Sequence, residues 1–249
     1  VSKDVYVLKI KDLNKTFDSH LLEKPHQALK NLSFEIKSGH TTGFVGVNGA
    51  GKTTTLKCAL GFVFPDSGTV DFFNEGPLTS ESKKKLGYLP ERPYYYDFLT
   101  AKQFLKFHWD LTGGGGDFER RAEEILNKVN LKNVINRSLR SFSKGMLQRI
   151  GLAQALLRQP KFLILDEPMS GLDPDGRILI KNIMREEKLK GTTLFFSSHL
   201  LGDMDELCDD LVVIDQGRLV YQGTLKDFAK DKSVEESFHE MRVKLGADQ

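Results

Sequence analysis

The chain has 249 residues, 39% apolar and 28% charged, with a formal net charge of +2; it is long enough for one large domain or two small ones and has the balance of a soluble globular protein. So small a net charge gives no electrostatic ground for a nucleic-acid partner, and no run of residues approaches the ~20 consecutive apolar positions of a transmembrane helix. Cys58 and Cys208 stand alone, which suits buried thiols in a reducing compartment; the six histidines show no metal-ligand spacing; and the start Val1-Ser2-Lys3-Asp4 has no apolar signal core, so the expected location is the cytoplasm.

Residues 5–10 and 32–37 have the β-rich or alternating character of strands. Between them Asn14-Lys15-Thr16-Phe17 leads into a polar insertion that reaches His26. Phe17 could stack on a purine ring, although a core Phe at a strand end is the plainer reading of the residues alone.

Phe44-Val45 then ends a short apolar strand and opens Gly46-Val47-Asn48-Gly49-Ala50-Gly51-Lys52-Thr53-Thr54, with a predicted helix running on through Leu56, Lys57, Ala59 and Leu60. Gly46, Gly51, Lys52 and Thr53 stand at the spacing of a phosphate-binding loop. Small residues let successive backbone amides turn toward one anion, and the helix start adds positive potential. Lys52 would reach the β- and γ-phosphates, and the Thr53 hydroxyl would hold Mg²⁺. The rival dinucleotide loop is set aside because Lys52 and Thr54 follow where that pattern needs its third Gly.

Residues 65–73 read as a turn feeding another strand, and Lys83-Lys84-Lys85 as a solvated helix face ahead of Leu86 to Glu91. Three adjacent tyrosines, Tyr94 to Tyr96, cannot all face one core, so at least one should reach the surface. From 100 to about 160 the periodicity turns helical: Phe104, Leu105, His108 and Leu111, then Ile125, Leu126 and Val129. Gly113 to Gly116 read as a flexible connection. A third helix carries Leu147, Ile150, Ala153 and Leu157, with Ser143 as its N-cap.

Phe162-Leu163-Ile164-Leu165-Asp166-Glu167 is a short apolar run ending in two acids, the pattern of a central parallel strand whose C-terminal end opens on a site. Adjacent carboxylates there need a cation or hydrogen-bond partners, which Mg²⁺ on Asp166 and a reacting water beside Glu167 would provide. A helix through Ile178, Leu179, Ile183 and Met184 leads to a buried strand at 192–198 with His199 at its end. Val212 to Tyr221 reads as a hairpin, and 230–249 as a polar helical tail without assignable chemistry.

These motifs, in this order, resemble the ATP-binding subunit of an ABC transporter over nearly all of residues 5–225. The loop at Gly46 to Thr54 corresponds to Walker A and Phe162 to Asp166 to Walker B; Glu167 takes the catalytic position, Ser170-Gly171-Leu172-Asp173 the D-loop, and His199 the switch histidine. The resemblance assigns Phe17 to adenine stacking. The signature segment departs from Leu-Ser-Gly-Gly-Gln: it reads Phe142-Ser143-Lys144-Gly145-Met146, keeping only Ser143 and Gly145 as phosphate contacts. The Q-loop position holds Glu91, which can still offer Mg²⁺ an oxygen.

The resemblance implies an α/β fold: a P-loop NTPase (RecA-like) core, an antiparallel β subdomain and an inserted α-helical subdomain, with a nucleotide-binding domain over 1–229, the helical part at about 92–160 and a tail over 230–249. It implies ATP and Mg²⁺ as ligands, Lys52, Glu167 and His199 as the catalytic set, and Phe17, Asn48, Gly49, Ala50, Thr54, Ser143, Gly145 and Asp173 among the nucleotide contacts. It implies Thr53, Asp166 and Glu91 for the metal, a head-to-tail pairing with a second copy or homologous subunit, and a separate transmembrane permease, with the chain peripheral on the inner face of the membrane. Export is favoured by the signature variant and the short tail. The alternative is a soluble ATPase of the same type that remodels a protein assembly. A nucleic-acid-acting relative would need two P-loops or a long coiled coil, and a GTPase would need an Asn-Lys-x-Asp motif; neither is present.

Overall fold

The structure is a computed structural model and describes residues 6–18 and 25–246. The start of the chain and most of the polar insertion before His26 lie outside the described residues. The chain forms two compact units, Val1–Thr79 with Phe195–Gln249, and Ser80–Leu194.

The first unit begins with β1 (Tyr6–Phe17), β2 (His26–Lys37), β3 (Thr41–Val45), α1 (Lys52–Ala59) and β4 (Ser67–Phe72). Strands β2, β1 and β4 form an antiparallel sheet in that order. Both β1 and β2 are longer than the alternating pattern predicts. The reason is a pair of bulges: Asp12 and Asn31 adopt φ of 50° and 51°, which breaks the alternation while the ladder continues on either side. The Asn14 amide stitches this irregularity, reaching the Asp12 carbonyl at 2.9 Å, Asn31 Oδ1 at 2.8 Å and Ser67 Oγ at 3.1 Å.

The second unit carries α2 (Ser80–Lys84), β5 (Leu86–Leu89), α3 (Ala101–Leu111), α4 (Phe118–Lys128), α5 (Lys144–Leu156), β6 (Phe162–Leu165) and α6 (Pro174–Leu189). Strands β5 and β6 pair in parallel from Leu86↔Phe162 to Leu89↔Leu165. Helices α3, α4 and α6 are amphipathic, but two apolar positions of the predicted helical spacing face solvent. Leu111 is 67% exposed and Ile178 57% exposed. On α3 the buried stripe runs through Ala101, Phe104, Leu105 and Trp109, which turns Leu111 outward; on α6 it runs through Gly176, Ile180, Ile183, Met184 and Glu187, which does the same to Ile178. Gly113 to Gly116 all take positive φ, and the Gly114 carbonyl accepts Arg158 Nη1 at 2.9 Å.

Strand β7 (Thr193–Ser197) carries the chain back into the first unit, which ends with α7 (Gly202–Leu207), β8 (Asp210–Asp215), β9 (Arg218–Thr224), α8 (Leu225–Ala229) and α9 (Val234–Lys244). Strands β3 and β8 are parallel, and β8 and β9 form the predicted antiparallel hairpin. Phe34 of β2, Phe44 of β3 and Phe195 of β7 stack with ring centroids 5.0 to 5.9 Å apart, joining the antiparallel sheet to the parallel strands. Cys58 is buried as expected, but Cys208 is only half-buried, because it caps the C-terminal end of α7 in extended backbone. The stretch read as a tail is partly anchored: Val234 is buried, and its amide donates to the Asp205 carboxylate at 3.1 Å. This is the α/β architecture that the sequence predicts, with an antiparallel β region in one unit and the inserted helices in the other. Among the described residues no helix is long and apolar enough to cross a membrane.

Candidate functional site

The loop from Gly46 to Gly51 leaves the C-terminal end of β3, where Phe44 and Val45 are fully buried and paired with Val212 and Val213 of β8. Helix α1 begins at Lys52, Gly51 is its cap residue at φ 108°, and no side chain caps it. An uncapped helix start offers its amides and dipole to an anion. Position 51 tolerates no side chain, since a Cβ there would stand 2.9 Å from the Ala28 carbonyl oxygen, in a conformation that glycine alone adopts at little cost.

Neighbouring strands hold the loop. The Ala50 amide closes a turn on the Val47 carbonyl at 3.1 Å, and the Ala50 carbonyl accepts the Gly217 amide at 2.9 Å. Gly217, in the β8–β9 turn, in turn accepts the Lys30 amide of β2 at 2.8 Å. Lys52 is buried, and its ammonium donates to the carbonyls of Gly46 at 2.5 Å and Val47 at 3.3 Å, so the charge sits within the span of the loop. Asn48 and Gly49 form the exposed tip, and Thr53 and Thr54 are half-buried.

Phe17 ends β1 and is 40% exposed, so it is not the core residue of the plainer reading. The Lys15 ammonium lies 5.5 Å from its ring centroid and also binds Asp66 at 2.9 Å. Asp66 accepts the Thr16 amide at 2.6 Å, and the Lys15 and Thr16 hydrogen bonds hold its carboxyl below the ordinary range. His199 is exposed just past β7. The turn around it is ordered by Ser198, whose Oγ accepts the Leu200 amide at 3.1 Å and lies 3.2 Å from Asp203 Oδ2.

In the second unit, β6 is buried along its whole length and ends at Asp166, 1% exposed, whose amide donates to the Leu89 carbonyl at 2.8 Å. Burial, and then the negative charge of Asp166, push the Tyr88 phenol well above its ordinary value. Glu167 is half-buried and turns the chain at φ 53°. Its carbonyl accepts the Ser170 amide at 3.1 Å.

The loop and signature residues of this unit pack on one another. Asp173 caps α6 by accepting the Gly176 amide at 3.1 Å, with Pro174 in the first turn. Ser143 caps α5 by accepting the Met146 amide at 3.3 Å, as predicted. The side chain of Lys144 lies against Gly171, and Gly145 faces Leu172. Glu91 stands on exposed backbone, 3.9 Å from Arg92 Nε.

The donors assigned to Mg²⁺ are all hard oxygens, and Asp166 is a buried carboxylate at a strand end, which fits a small divalent cation. Thr53 belongs to the first unit, and Asp166 and Glu91 to the second. Sequence reasoning overlooked Gly151 and Gln148, and it took Tyr95 with its neighbours between Glu91 and Thr100 for a surface that a membrane subunit contacts, whereas Tyr95 is half-buried. The Tyr95 hydroxyl donates to the Leu147 carbonyl at 2.5 Å, and Gln148 Nε2 donates to the Pro168 carbonyl at 3.2 Å. The signal was Gly151, an unexplained glycine inside a predicted helix, which marks a close approach.

The sequence model of the ABC transporter family matches residues 29–170. The chain is 42% identical over 204 residues to an uncharacterized ABC transporter ATP-binding protein of Synechocystis sp., a match that covers 81% of this chain and 58% of that relative. It is 35% identical over 220 residues to the bacitracin transport ATP-binding protein BcrA of Bacillus licheniformis, covering 86% of this chain and 68% of BcrA. Among solved structures, the ATP binding subunit of an ABC transporter superposes with a TM-score of 0.83 at 29% identity, covering 94% of this chain and 99% of that one.

Proposed function

The chain belongs to the ABC transporter family, as an ATP-binding subunit, and on that premise we propose that it hydrolyses ATP as half of a head-to-tail pair and so drives a separate membrane permease. The observation that carries this reading is the end of β6: a carboxylate buried to 1%, Asp166, followed at once by the half-buried Glu167 in a left-handed turn. A structural role gives no reason to place two acids there; holding a cation and a reacting water does.

In the proposed reaction Phe17 stacks on adenine, the amides of the loop from Gly46 to Thr54 take the phosphates, and Lys52 leaves its loop carbonyls for the β- and γ-phosphates. Glu167 orients or deprotonates the attacking water, and His199 contacts the γ-phosphate. Thr53 and Asp166 would hold Mg²⁺, with Glu91 as a third oxygen donor; when bound, the ion neutralises charge on the transferred phosphoryl group. Ser143 and Gly145, at the N-terminal end of α5, would serve the γ-phosphate of the partner copy. Asp173, which caps its own helix, would meet the partner across the pair.

The permease contact is assigned to the exposed aromatic surface of the second unit. Tyr94 is fully exposed, Phe98 71% and Tyr96 52%, beside a groove of about 550 Å³ whose lining joins Pro93, Tyr95, Leu139 and Phe142 with the Asp97–Arg140 ion pair. Three exposed aromatic rings on one segment, beside a groove of mixed polarity, suit a helix of a membrane partner. On this reading the chain would lie on the inner face of the membrane; the name of the bacitracin transport relative supports a role in transport, and the Ser143-Lys144-Gly145 signature supports export.

The test is Glu167→Gln. Hydrolysis should fall by about a thousandfold while ATP binding persists and a nucleotide-trapped dimer accumulates on size exclusion. Undiminished steady-state turnover would overturn the assignment.

A further inference from the structure

We propose that Gln148 and Tyr95 are positioning residues for Glu167: the Gln148 amide holds the turn that aims its carboxylate, and the Tyr95 hydroxyl fixes the helix from which Gln148 reaches. The proposal rests on the role of Glu167 given above.

Glu167 leaves β6 at φ 53°, a left-handed conformation that a residue with a side chain keeps only when its surroundings enforce it. Two groups enforce it here. The Ser170 amide closes the turn on the Glu167 carbonyl at 3.1 Å. The Gln148 side chain, 5% exposed, donates to the Pro168 carbonyl at 3.2 Å and also reaches the Glu167 carbonyl at 3.4 Å. One planar amide carrying two N–H donors therefore fixes two successive peptide planes, and with them the direction of the Glu167 side chain. Those two hydrogen bonds offset the cost of burying so polar a group.

Gln148 depends on where α5 sits. The preceding residue, Leu147, gives its carbonyl to the Tyr95 hydroxyl at 2.5 Å. Gly151, one turn on, makes the seat: a Cβ there would meet the Tyr95 oxygen at 2.5 Å and Leu89 Cδ1 at 2.8 Å. Burial raises the phenol well above its ordinary value, so it stays a proton donor at any physiological pH. Its ring packs edge-on against Phe104 of α3 at 5.4 Å. Tyr95 is thus a half-buried peg whose neighbours, Tyr94 and Tyr96, face outward. A displacement of that exposed segment is transmitted to Leu147, and through the adjoining Gln148 to the Glu167 turn.

The test compares Gln148→Leu, the isosteric Gln148→Glu, Tyr95→Phe and the Tyr95→Phe/Gln148→Leu double variant of the full chain. ATP affinity and binding stoichiometry are measured separately from turnover. Both Gln148 variants should lower kcat by about tenfold and Tyr95→Phe by about threefold, with ATP affinity within about twofold of the parent and full stoichiometry, which mere unfolding would not give. The double variant should lose less than the product of the single losses. Parental kcat in Gln148→Glu, or losses that simply multiply, would overturn the proposal; if Gln148→Leu does not fold, the Tyr95→Phe and Gln148→Glu results decide. Glu167→Gln, run in parallel, separates the two readings: surviving turnover there overturns the role of Glu167 itself, whereas an inactive Glu167→Gln beside a parental Gln148→Glu overturns only the positioning role.

Discussion

Lys128 and Glu187 meet at 2.8 Å between α4 and α6, with side chains only 16% and 10% exposed. Lys190 adds a second contact to the same carboxylate at 2.9 Å, and Glu186 a second to Lys128 at 2.6 Å. Burial works against both charges, but it is outweighed: the lysines hold the Glu187 carboxyl below 4.5, and the glutamates hold the Lys128 ammonium above 10.5.

The pair predicts how stability varies with pH. The lowered carboxyl contributes stability present above pH 4.5 and lost as pH falls through its folded value; the raised ammonium contributes stability present below pH 10.5 and lost as pH rises through its own. Glu187→Gln should cost about 2 kcal/mol, less than a fully buried pair because Lys128, Glu187 and Lys190 all line an open cavity of about 380 Å³. Urea titrations should show a gap from the parent that is flat at neutral pH and closes below pH 4.5.

Gly51→Ala forces a side chain into φ 108° and toward the Ala28 carbonyl. A loss of about 2 kcal/mol in folding stability is expected, with nucleotide affinity reduced beyond detection. Thermal unfolding and a fluorescent-nucleotide titration check the two effects.

Phe17→Ala should weaken ATP binding by about tenfold, the usual worth of a base on an aromatic face, while Phe17→Trp keeps it. Because the ring is 40% exposed, neither change should lower stability appreciably. Calorimetric titration with ATP and with triphosphate alone separates stacking from phosphate binding; triphosphate affinity should not change.

Tyr94→Cys, fully exposed in the parent, should cross-link to a co-expressed permease in higher yield than Tyr95→Cys, because Tyr95 is half-buried with its hydroxyl on the Leu147 carbonyl. Equal yields from both positions would contradict the assigned surface.

The phosphate loop and the acid-ended strand were legible because each is a local pattern: Gly46 to Thr53 by spacing, and Phe162 to Glu167 by an apolar run that stops at two charges. Geometry that depends on distant partners was not. The bulge at Asp12 needs Asn14, Asn31 and Ser67 together, three positions that no local window contains. Ile178 lies near the helical stripe in sequence, yet α6 turns it outward once Ile180 and Ile183 face the core. Gln148 looked like one more polar residue of a signature segment; its meaning comes from Pro168, twenty positions later. Tyr95 could not be told from Tyr94 and Tyr96 without Gly151 to receive it.

The turn residue Gly217 spends its amide on Ala50 and its carbonyl on Lys30. The cradle is therefore shaped by two strands before any anion reaches it, so little disorder remains to be removed on binding. A receptor of this kind should capture nucleotide at a rate limited by encounter and distinguish good ligands from poor ones by how long they stay. Loosening that single turn should make ATP slower to settle without changing any residue proposed to contact the phosphates.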